Sequence, residues 1–477
     1  VLLEELRREL ASVVHLDPST PTPDNPLTGV DITEVVHDSR AAVPGSLFSA
    51  VPGLTVDGHD YIDKAVSLGA SAVLVERRSS TDRPQLVTDN VRRSMAHAAA
   101  IVHRRPSRDL AVFGITGTNG KTTTTKLLGS VVRSAGKSCS VIGTLDGIHT
   151  TPESTDLQRQ LRRLADEHVD VVALEVSSHA LDQFRVEATD FAVAAFSNLT
   201  PDHLDYHHDM ESYFQAKKQL FDGRAEVEVI NVDDAWGARL ADERPDAVRV
   251  SLGDITIGDE SLTGTSFTWR GLDARVPLPG RMNVANAVMA AESARLLGLS
   301  DRDIVEGLAG ADSVPGRMQT VTAPAHAGRS SPTVVVDYSH TPDSIEVALA
   351  TLRAVAPGAR VSIVFGCGGD RDRQKRPLMG RAAEQGADRV YVTSDNPRSE
   401  DPMRIIKDAL AGFDSPGEAV VEPDRKSAIR RAIIDAAPGD VVLIAGKGHE
   451  RTQTIGRDVL PFDDVSIAAN MLEADTE

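Results

Sequence analysis

The sequence predicts an α/β protein of three domains, with boundaries at 1–107, 108–318 and 319–477. Three observations predict it. The 477 residues are enough for about three domains of ~150 residues each. From residue 108 onward, short apolar, β-branched runs alternate with longer helical patterns, the mark of parallel sheets with helices on their faces. In the last third, polar loops follow the strands, which is where open α/β sheets gather ligands.

The first stretch is read as a small mixed α/β domain. "SLFSAVPG" (46–53) and "SAVLVE" (71–76) are expected strands, with "GHDYIDKAVSLG" (58–69) as a helix between them. "NVRRSMAHAAAIVHRRP" (90–106) is an expected helix ended by Pro106. In the middle stretch, "DLAVFGIT" (109–116), "SCSVIGT" (138–144), "VDVVALEV" (169–176) and "DFAVAAFSNL" (190–199) are expected strands. Helices are expected over 121–136, over 153–168 and, after the turn "PLPGRM", over 283–298. The last stretch repeats the theme with strands in "PTVVVDYSH", "RVSIVFGCGG", "DRVYVTSDNP" and "DVVLIAGKG"; "APAHAGRSSP" (323–332) is read as a surface loop or linker.

Composition narrows the function classes. A formal net charge of −19 excludes a general nucleic-acid binder, which needs a basic footprint. Cys139 and Cys367 are the only cysteines and show no metal-ligand spacing, so both are expected as reduced thiols in a cytoplasmic protein. No apolar run reaches the ~20 residues of a membrane helix. "VLLEELRREL" reads as an amphipathic helix rather than a signal peptide, and Val1 in place of Met reads as trimming or processing.

"FGITGTNGKTTTTKLL" (113–128) carries the first chemistry. It follows an apolar strand and opens a helix, as a phosphate loop must. Gly117 and Gly120 free backbone N–H groups to face phosphate, Lys121 reaches the outer phosphates, and Thr122 offers a hydroxyl to Mg²⁺. Ile115 stands where the Walker A pattern has its first glycine, so the loop is a variant. Glu175 ends a strand, where many phosphate-loop proteins place a metal-binding carboxylate; alone it could equally be a surface acid. His203, His207 and His208 cluster without a zinc frame, and Lys217 and Lys218 sit on an amphipathic helix where the bland reading is a solvated lysine. "GCGGDRD" fails the dinucleotide spacing because Arg371 stands at the third glycine.

"TGTNGKTT", "LEVSSHAL", "NLTPDHLDYH", "AKKQLF", "GRMNVANAVMA", "VDYSHTPDS", "FGCGGDRDRQKRPLMG", "SDNPR" and "AGKGHE" occur in this order. In that series the chain resembles the Mur ligases, closest to the MurE type that adds diaminopimelate, and most strongly from residue 111 onward. The resemblance implies an N-terminal UDP-binding domain, a central P-loop ATPase-like domain and a Rossmann-like C-terminal domain that binds the amino acid. It implies ATP and Mg²⁺, an acyl-phosphate route to an amide bond, and a cytoplasmic, monomeric enzyme of peptidoglycan precursor synthesis. The variant loop with Ile115 is this family's own form. Carboxylates are poor electrophiles, so ATP activates one before the amine attacks; catalysis is then largely positioning and electrostatics.

The same resemblance carries roles onto residues. Gly117, Thr118, Asn119, Gly120, Lys121, Thr122, Thr123, Asn283, Asn286, Arg317, Asp337 and His340 are expected to bind ATP, with Lys121, Glu175, His203 and Lys217 catalytic. Thr122, Glu175, His203 and Lys217 are expected to hold metal. Lys217, the first lysine of "AKKQ", matches the family's carbamylated lysine (N6-carboxylysine), with Lys218 as runner-up. Carbamylation consumes a neutral amine, so it calls for burial that disfavours the ammonium. Ser39, Thr150, Thr151, Ser177, Gln183 and Arg185 match contacts to UDP-N-acetylmuramoyl-L-alanyl-D-glutamate. "GLTVDG" (53–58) lacks the His-Gln pair that some members carry.

Arg371, Asp395, Asn396, Pro397, Arg398, Gly446 and Glu450 match contacts to meso-diaminopimelate. Lysine-adding relatives generally lack the Arg of Asp395-Asn396-Pro397-Arg398. The physics agrees: diaminopimelate has a second carboxylate at its far end, and Arg398 offers a planar fork for it. Competing readings are the lysine-adding ligase, a folylpolyglutamate synthetase, and a non-catalytic nucleotide-binding regulator. Arg398 opposes the first, "DNPR" with "GKGHE" the second, and Glu175, His203 and Lys217 together the third.

Overall fold

The computed structural model describes residues 1–17, 27–53, 56–145, 147, 149–321 and 331–474. The chain divides into two compact units: Val1–Gly117, Lys137–Phe196 and Gln215–Glu228; and Thr118–Gly136, Ser197–Phe214 and Val229–Glu477.

The first unit holds two parallel sheets. One runs Glu34–Val36, Ser46–Ser49, Ala72–Val75, Gln85–Val87 in spatial order. Ser46–Ser49 and Ala72–Val75 are buried along their whole length, as parallel strands covered on both faces must be. Helix Leu3–Leu10 places Leu3, Leu6 and Leu10 in one core with Val91, Met95 and Ala99 of helix Val91–Val102; this three-and-four spacing makes one apolar stripe. The second sheet has Phe191–Phe196, Ala111–Thr116, Val171–Glu175 and Cys139–Ile142 side by side. Gly114 is required in its central strand, because a Cβ there would lie 2.6 Å from Phe191 Cδ1. Helix Ser154–Asp166 buries Leu157, Leu161 and Leu164. Its polar side joins the helix Val91–Val102 region through Glu34, which accepts from His103 Nε2 at 3.1 Å and Arg159 Nε at 3.0 Å.

In the second unit, helix Lys121–Ser134 packs against helices Arg281–Leu296 and Asp301–Ala309. A six-stranded sheet follows, in the order Gln319–Val321, Thr333–Asp337, Val441–Ala445, Val361–Phe365, Arg389–Val392, Val420–Val421. The first strand is antiparallel and the rest are parallel. Helices Pro342–Val355, Lys375–Gly386 and Pro402–Leu410 cover one face through Leu349, Met379 and Ile406. Helices Arg425–Asp435 and Asp464–Ala474 cover the other through Ile429, Ile433 and Leu472. Helices on both faces of a parallel sheet make this the expected doubly wound arrangement.

Several elements differ from expectation. The helix over 90–106 ends at Val102 with His103 as its cap, and Pro106 instead opens a 3₁₀ turn, Pro106–Asp109; proline's fixed φ suits a first helical position. Residues 58–69 begin as a 3₁₀ turn, Gly58–Tyr61, before helix Ile62–Ser67. The antiparallel sheet of Thr256–Ser261, Gly264–Trp269 and Leu272–Val276 was not foreseen, nor was the hairpin Thr452–Ile455 with Asp458–Pro461. The linker reading over 323–332 falls almost wholly outside the described residues, as do Leu54 and Thr55 of "GLTVDG".

Candidate active site

Ile115 explains the variant phosphate loop. It is still a strand residue, fully buried and in register with Glu175 and Ala195. The turn therefore begins later, at Gly117 (φ 149°), and closes at Gly120 (φ 87°), the cap of helix Lys121–Ser134. Gly120 also lets Asn286 come close: a Cβ there would lie 3.3 Å from Asn286 Cγ.

Within the second unit the loop is braced from "SNLT". Thr118 N–H donates to Asn198 O and Asn119 N–H to Asn198 Oδ1, both at 2.9 Å. Thr118 Oγ1 donates to Thr200 O at 3.1 Å and lies 3.3 Å from the Tyr213 hydroxyl. Lys121 Nζ donates to Thr118 O at 2.9 Å, curling over the loop. Thr122 and Thr123 are buried, and Arg317 Nη2 reaches Thr122 Oγ1 at 3.3 Å. Asn283 donates to Pro279 O at 2.8 Å and Asn286 to Asn283 Oδ1 at 3.3 Å, so both are buried at the start of their helix.

Arg317 also stacks over Tyr338, 4.4 Å from its ring centroid. Asp337 accepts from Met318 N–H at 2.7 Å and from Ser339 N–H at 2.9 Å, tying the chain after Arg317 to its strand. His340 rests on Tyr338, with Nδ1 2.8 Å from Tyr338 O. Burial pushes the His340 imidazole below its ordinary pKa. Asp202 faces His203 at 3.5 Å and His340 at 3.9 Å. Burial works against its charge, but His203, His340 and Lys375 hold it below the usual carboxylate value. His203 itself is exposed, in the left-handed region at φ 54°.

Within the first unit, Glu175 is 1% exposed. Its carboxylate accepts from Thr144 N–H and Thr144 Oγ1, each at 3.0 Å. It lies over Gly143, where a Cβ would sit 2.7 Å from Glu175 Cδ. Thr150 reaches the same threonine at 3.1 Å. Thr151 Oγ1 donates to Glu175 O at 2.8 Å and accepts from Ser177 N–H at 3.0 Å. Arg185 gathers the rest: it donates to Thr151 O and Gln183 Oε1 at 2.9 Å each and pairs with Glu153 at 2.8 Å. Lys217 is buried and donates to Gly117 O at 2.8 Å, whereas Lys218 is only partly buried. Ser39 lines a separate cavity of about 500 Å³ with His37, Arg40, Tyr61, Lys64 and Arg92.

The residues expected to meet the amino acid lie on loops of the second unit. Arg398 takes a left-handed conformation (φ 50°), bonds Gly369 O through Nη1 at 2.7 Å, and pairs its backbone with the Thr452–Ile455 strand. Asn396 Nδ2 donates to Glu450 Oε2 at 2.8 Å. Gly446 (φ 113°) lets the loop pass Asp395, since a Cβ would lie 2.8 Å from Asp395 Oδ2. Arg371 is exposed near the same turn: a Cβ on Gly368 would lie 3.6 Å from its Cγ and 3.2 Å from Arg398 Nη1. Beneath them Arg425 is fully buried. It is paired with Asp464 at 2.7 Å and donates to Ala445 O at 2.9 Å and Ser394 O at 3.4 Å.

Sequence reasoning missed Asn198, Asp202, Tyr338, Arg425 and Lys447. Tyr338 follows directly on a strand, and Asn198 and Asp202 come soon after one, a position that could have flagged them. Arg425 gave no signal, being an arginine at the start of a helix. Among the described residues no three His, Cys, Asp or Glu side chains gather as a metal-ligating cluster.

Comparison with known proteins places the chain in a family. The "Mur ligase family, catalytic domain" matches residues 31–107, the "Mur ligase middle domain" residues 115–294, and the "Mur ligase, glutamate ligase domain" residues 316–448. A UDP-N-acetylmuramoyl-L-alanyl-D-glutamate–2,6-diaminopimelate ligase from Geobacillus thermodenitrificans is 44% identical over 467 residues, covering 92% of this chain and 94% of its own. A solved structure of a ligase of that name is 34% identical with a TM-score of 0.65, covering 94% of this chain and 96% of its own. MurF from Acinetobacter baumannii, 21% identical over 99% of this chain and 100% of its own, shares the fold with a TM-score of 0.67. The phosphate loop, the residues around Glu175 and the paired amino-acid loops thus stand in a three-domain α/β ligase fold, and the chain belongs to the Mur ligase family.

Proposed function

We propose that this ligase joins meso-diaminopimelate to UDP-N-acetylmuramoyl-L-alanyl-D-glutamate with ATP, through an acyl phosphate, in peptidoglycan precursor synthesis. The observation that carries the reading is the Asp395–Arg398 loop. Arg398 is held in a left-handed turn two residues after Asn396, which bonds Glu450, and its planar guanidinium suits bidentate pairing with a distal carboxylate.

The proposed division of labour follows the chain. Residues 1–107 take the uridine end, and the cavity beside Ser39 suits it in size and polarity. Thr150, Thr151, Ser177, Gln183 and Arg185 form one bonded group that would orient the peptide. Residues 108–318 take ATP: the Gly117–Thr123 loop offers Lys121, hydroxyls and the N–H groups not spent on Asn198 to the phosphates, while Asn283, Asn286 and Arg317, joined from beyond residue 318 by Asp337 and His340, frame the nucleotide. Residues 319–477 take the amino acid through Arg371, Asp395, Asn396, Pro397, Arg398, Gly446 and Glu450.

The donors fit Mg²⁺, a hard cation that takes oxygen ligands and keeps waters. Thr122 would offer a hydroxyl, and Glu175, a buried carboxylate fixed by two hydrogen bonds, would offer an oxygen. His203 would serve a second ion. Lys217 is buried beside the Gly117 carbonyl, where its carbamate would add a carboxylate on a long arm. When bound, Mg²⁺ neutralises phosphoryl oxygens and orients the acceptor carboxylate. Lys121 would hold charge that develops on the transferred phosphoryl group, and Arg317 would approach from the Thr122 side. The enzyme would work as a cytoplasmic monomer, and a formal net charge of −19 suits a protein that binds no nucleic acid; among the described residues no helix is long and apolar enough to cross a membrane.

The test is direct. The protein is incubated with ATP, Mg²⁺ and the UDP-dipeptide, with either meso-diaminopimelate or L-lysine, following phosphate release and product mass. Product with diaminopimelate alone supports the reading. Product with lysine keeps the ligase and overturns the role of Arg398. No product with either, in a sample that binds ATP, overturns the enzyme assignment.

A further inference from the structure

Lys447 lies behind the amino-acid loops with no exposed surface. Its Nζ is 3.1 Å from Asn396 Oδ1 and 3.0 Å from Glu450 Oε2. Thr454 N–H gives Asn396 Oδ1 a second donor at 3.0 Å, which fixes the amide so that Nδ2 faces Glu450. Glu450 Oε2 thus holds an ammonium and an amide at once, while its side chain stays one-third exposed. A buried charge is tolerated only when paired in this way.

The pairing has a consequence for ligand choice. An unpaired Glu450 would draw in any side chain that ends in an ammonium. With Lys447 3.0 Å away, its charge is already answered, and a second cation meets a neutral pair with a buried positive charge behind it. A ligand end that carries a carboxylate beside its ammonium still gains, because Arg398 receives the carboxylate.

Building on the diaminopimelate reading above, we infer that Lys447 is a specificity-determining residue. Its buried ammonium cancels the charge of Glu450, so the pocket rejects a side chain ending in an ammonium alone and accepts one ending in an ammonium and a carboxylate together.

The test is the ratio of kcat/KM for meso-diaminopimelate to that for L-lysine, at saturating ATP and UDP-dipeptide, in the full chain. Lys447→Met and Lys447→Gln, the latter keeping a donor for Asn396, should each lower the ratio at least about tenfold, partly by a gain on lysine. Lys447→Met combined with Glu450→Gln removes both charges and should bring the ratio back towards the wild type. Glu450→Gln alone leaves Lys447 unanswered and should raise the ratio, which keeps the idea testable if the Lys447 variants do not fold. A purely structural lysine would weaken both substrates alike, and an unchanged ratio overturns the inference. A wild-type enzyme that ligates diaminopimelate while its variants keep the ratio sinks this inference alone. A wild type that ligates neither amino acid sinks the functional reading and this inference with it.

Discussion

Replacing Gly143 by alanine tests the role given to Glu175 without touching the carboxylate. Gly143 does not use the left-handed backbone region, so alanine adds no backbone strain there. The new Cβ would stand 2.7 Å from Glu175 Cδ and 2.8 Å from its Cγ, against an ordinary carbon contact of ~3.5–4.0 Å. The carboxylate must retreat by about 1 Å, and a misplacement of that size costs on the order of 100-fold in rate. Its bonds from Thr144 N–H and Thr144 Oγ1, both 3.0 Å, stretch with it. Hydrogen bonds to a charged group contribute roughly 1.5–3 kcal/mol each, so a modest fall in Tm accompanies the loss. The assay is steady-state phosphate release with all three substrates saturating, repeated over a Mg²⁺ titration. We expect kcat down about 100-fold and the Mg²⁺ requirement raised. A variant with wild-type kcat and an unchanged Mg²⁺ requirement would refute the placement of a metal-bearing carboxylate over Gly143.

Three further outcomes are expected. Lys217→Ala should abolish ligation while ATP still binds in equilibrium dialysis; full activity would remove the carbamate role. Burial opposes the charge of Glu34, but its bonds from His103 and Arg159 hold the carboxyl at about 2, below its ordinary 4.5. Its stabilisation is therefore complete above pH 4.5 and lost as pH falls through about 2. Glu34→Gln should cost about 1 kcal/mol at pH 7, after allowing for solvent screening. The gap should close in acid, and a gap that ignores pH in urea melts would refute the pairing. Arg425→Met strands the buried Asp464 and should cost about 3–5 kcal/mol in thermal melts, much of it regained when Asp464→Leu is added.

The sequence was most legible where burial on two faces writes continuous apolar runs, as in "VVALE" and "VVLIA". Glu175 and Asp337 end such runs, but position alone left Glu175 open as a surface acid, and only the motif around each marked it as a candidate. Lys217 ends no such run: its burial beside Gly117 comes from tertiary packing, and again only the motif around it marked it out. The antiparallel sheet over 256–276 escaped because its strands are half exposed and charge-rich; the turns at Gly264 and Gly271 were the available signal. Pro106 misled because a proline after a helix reads as its end, although here it starts the next turn. Arg425 was invisible because its partners, Asp464 and two backbone carbonyls, come together only in the folded chain.

That one guanidinium touches the carbonyls of Ser394 and Ala445, just ahead of Asp395 and Gly446. The two loops proposed to take the amino acid therefore share this arginine beneath them. For anyone transplanting substrate choice between relatives, the portable piece is not the four residues from Asp395 to Arg398. It is both loops together with the arginine and aspartate under them, and a graft that carries one loop alone inherits a foundation cut for another.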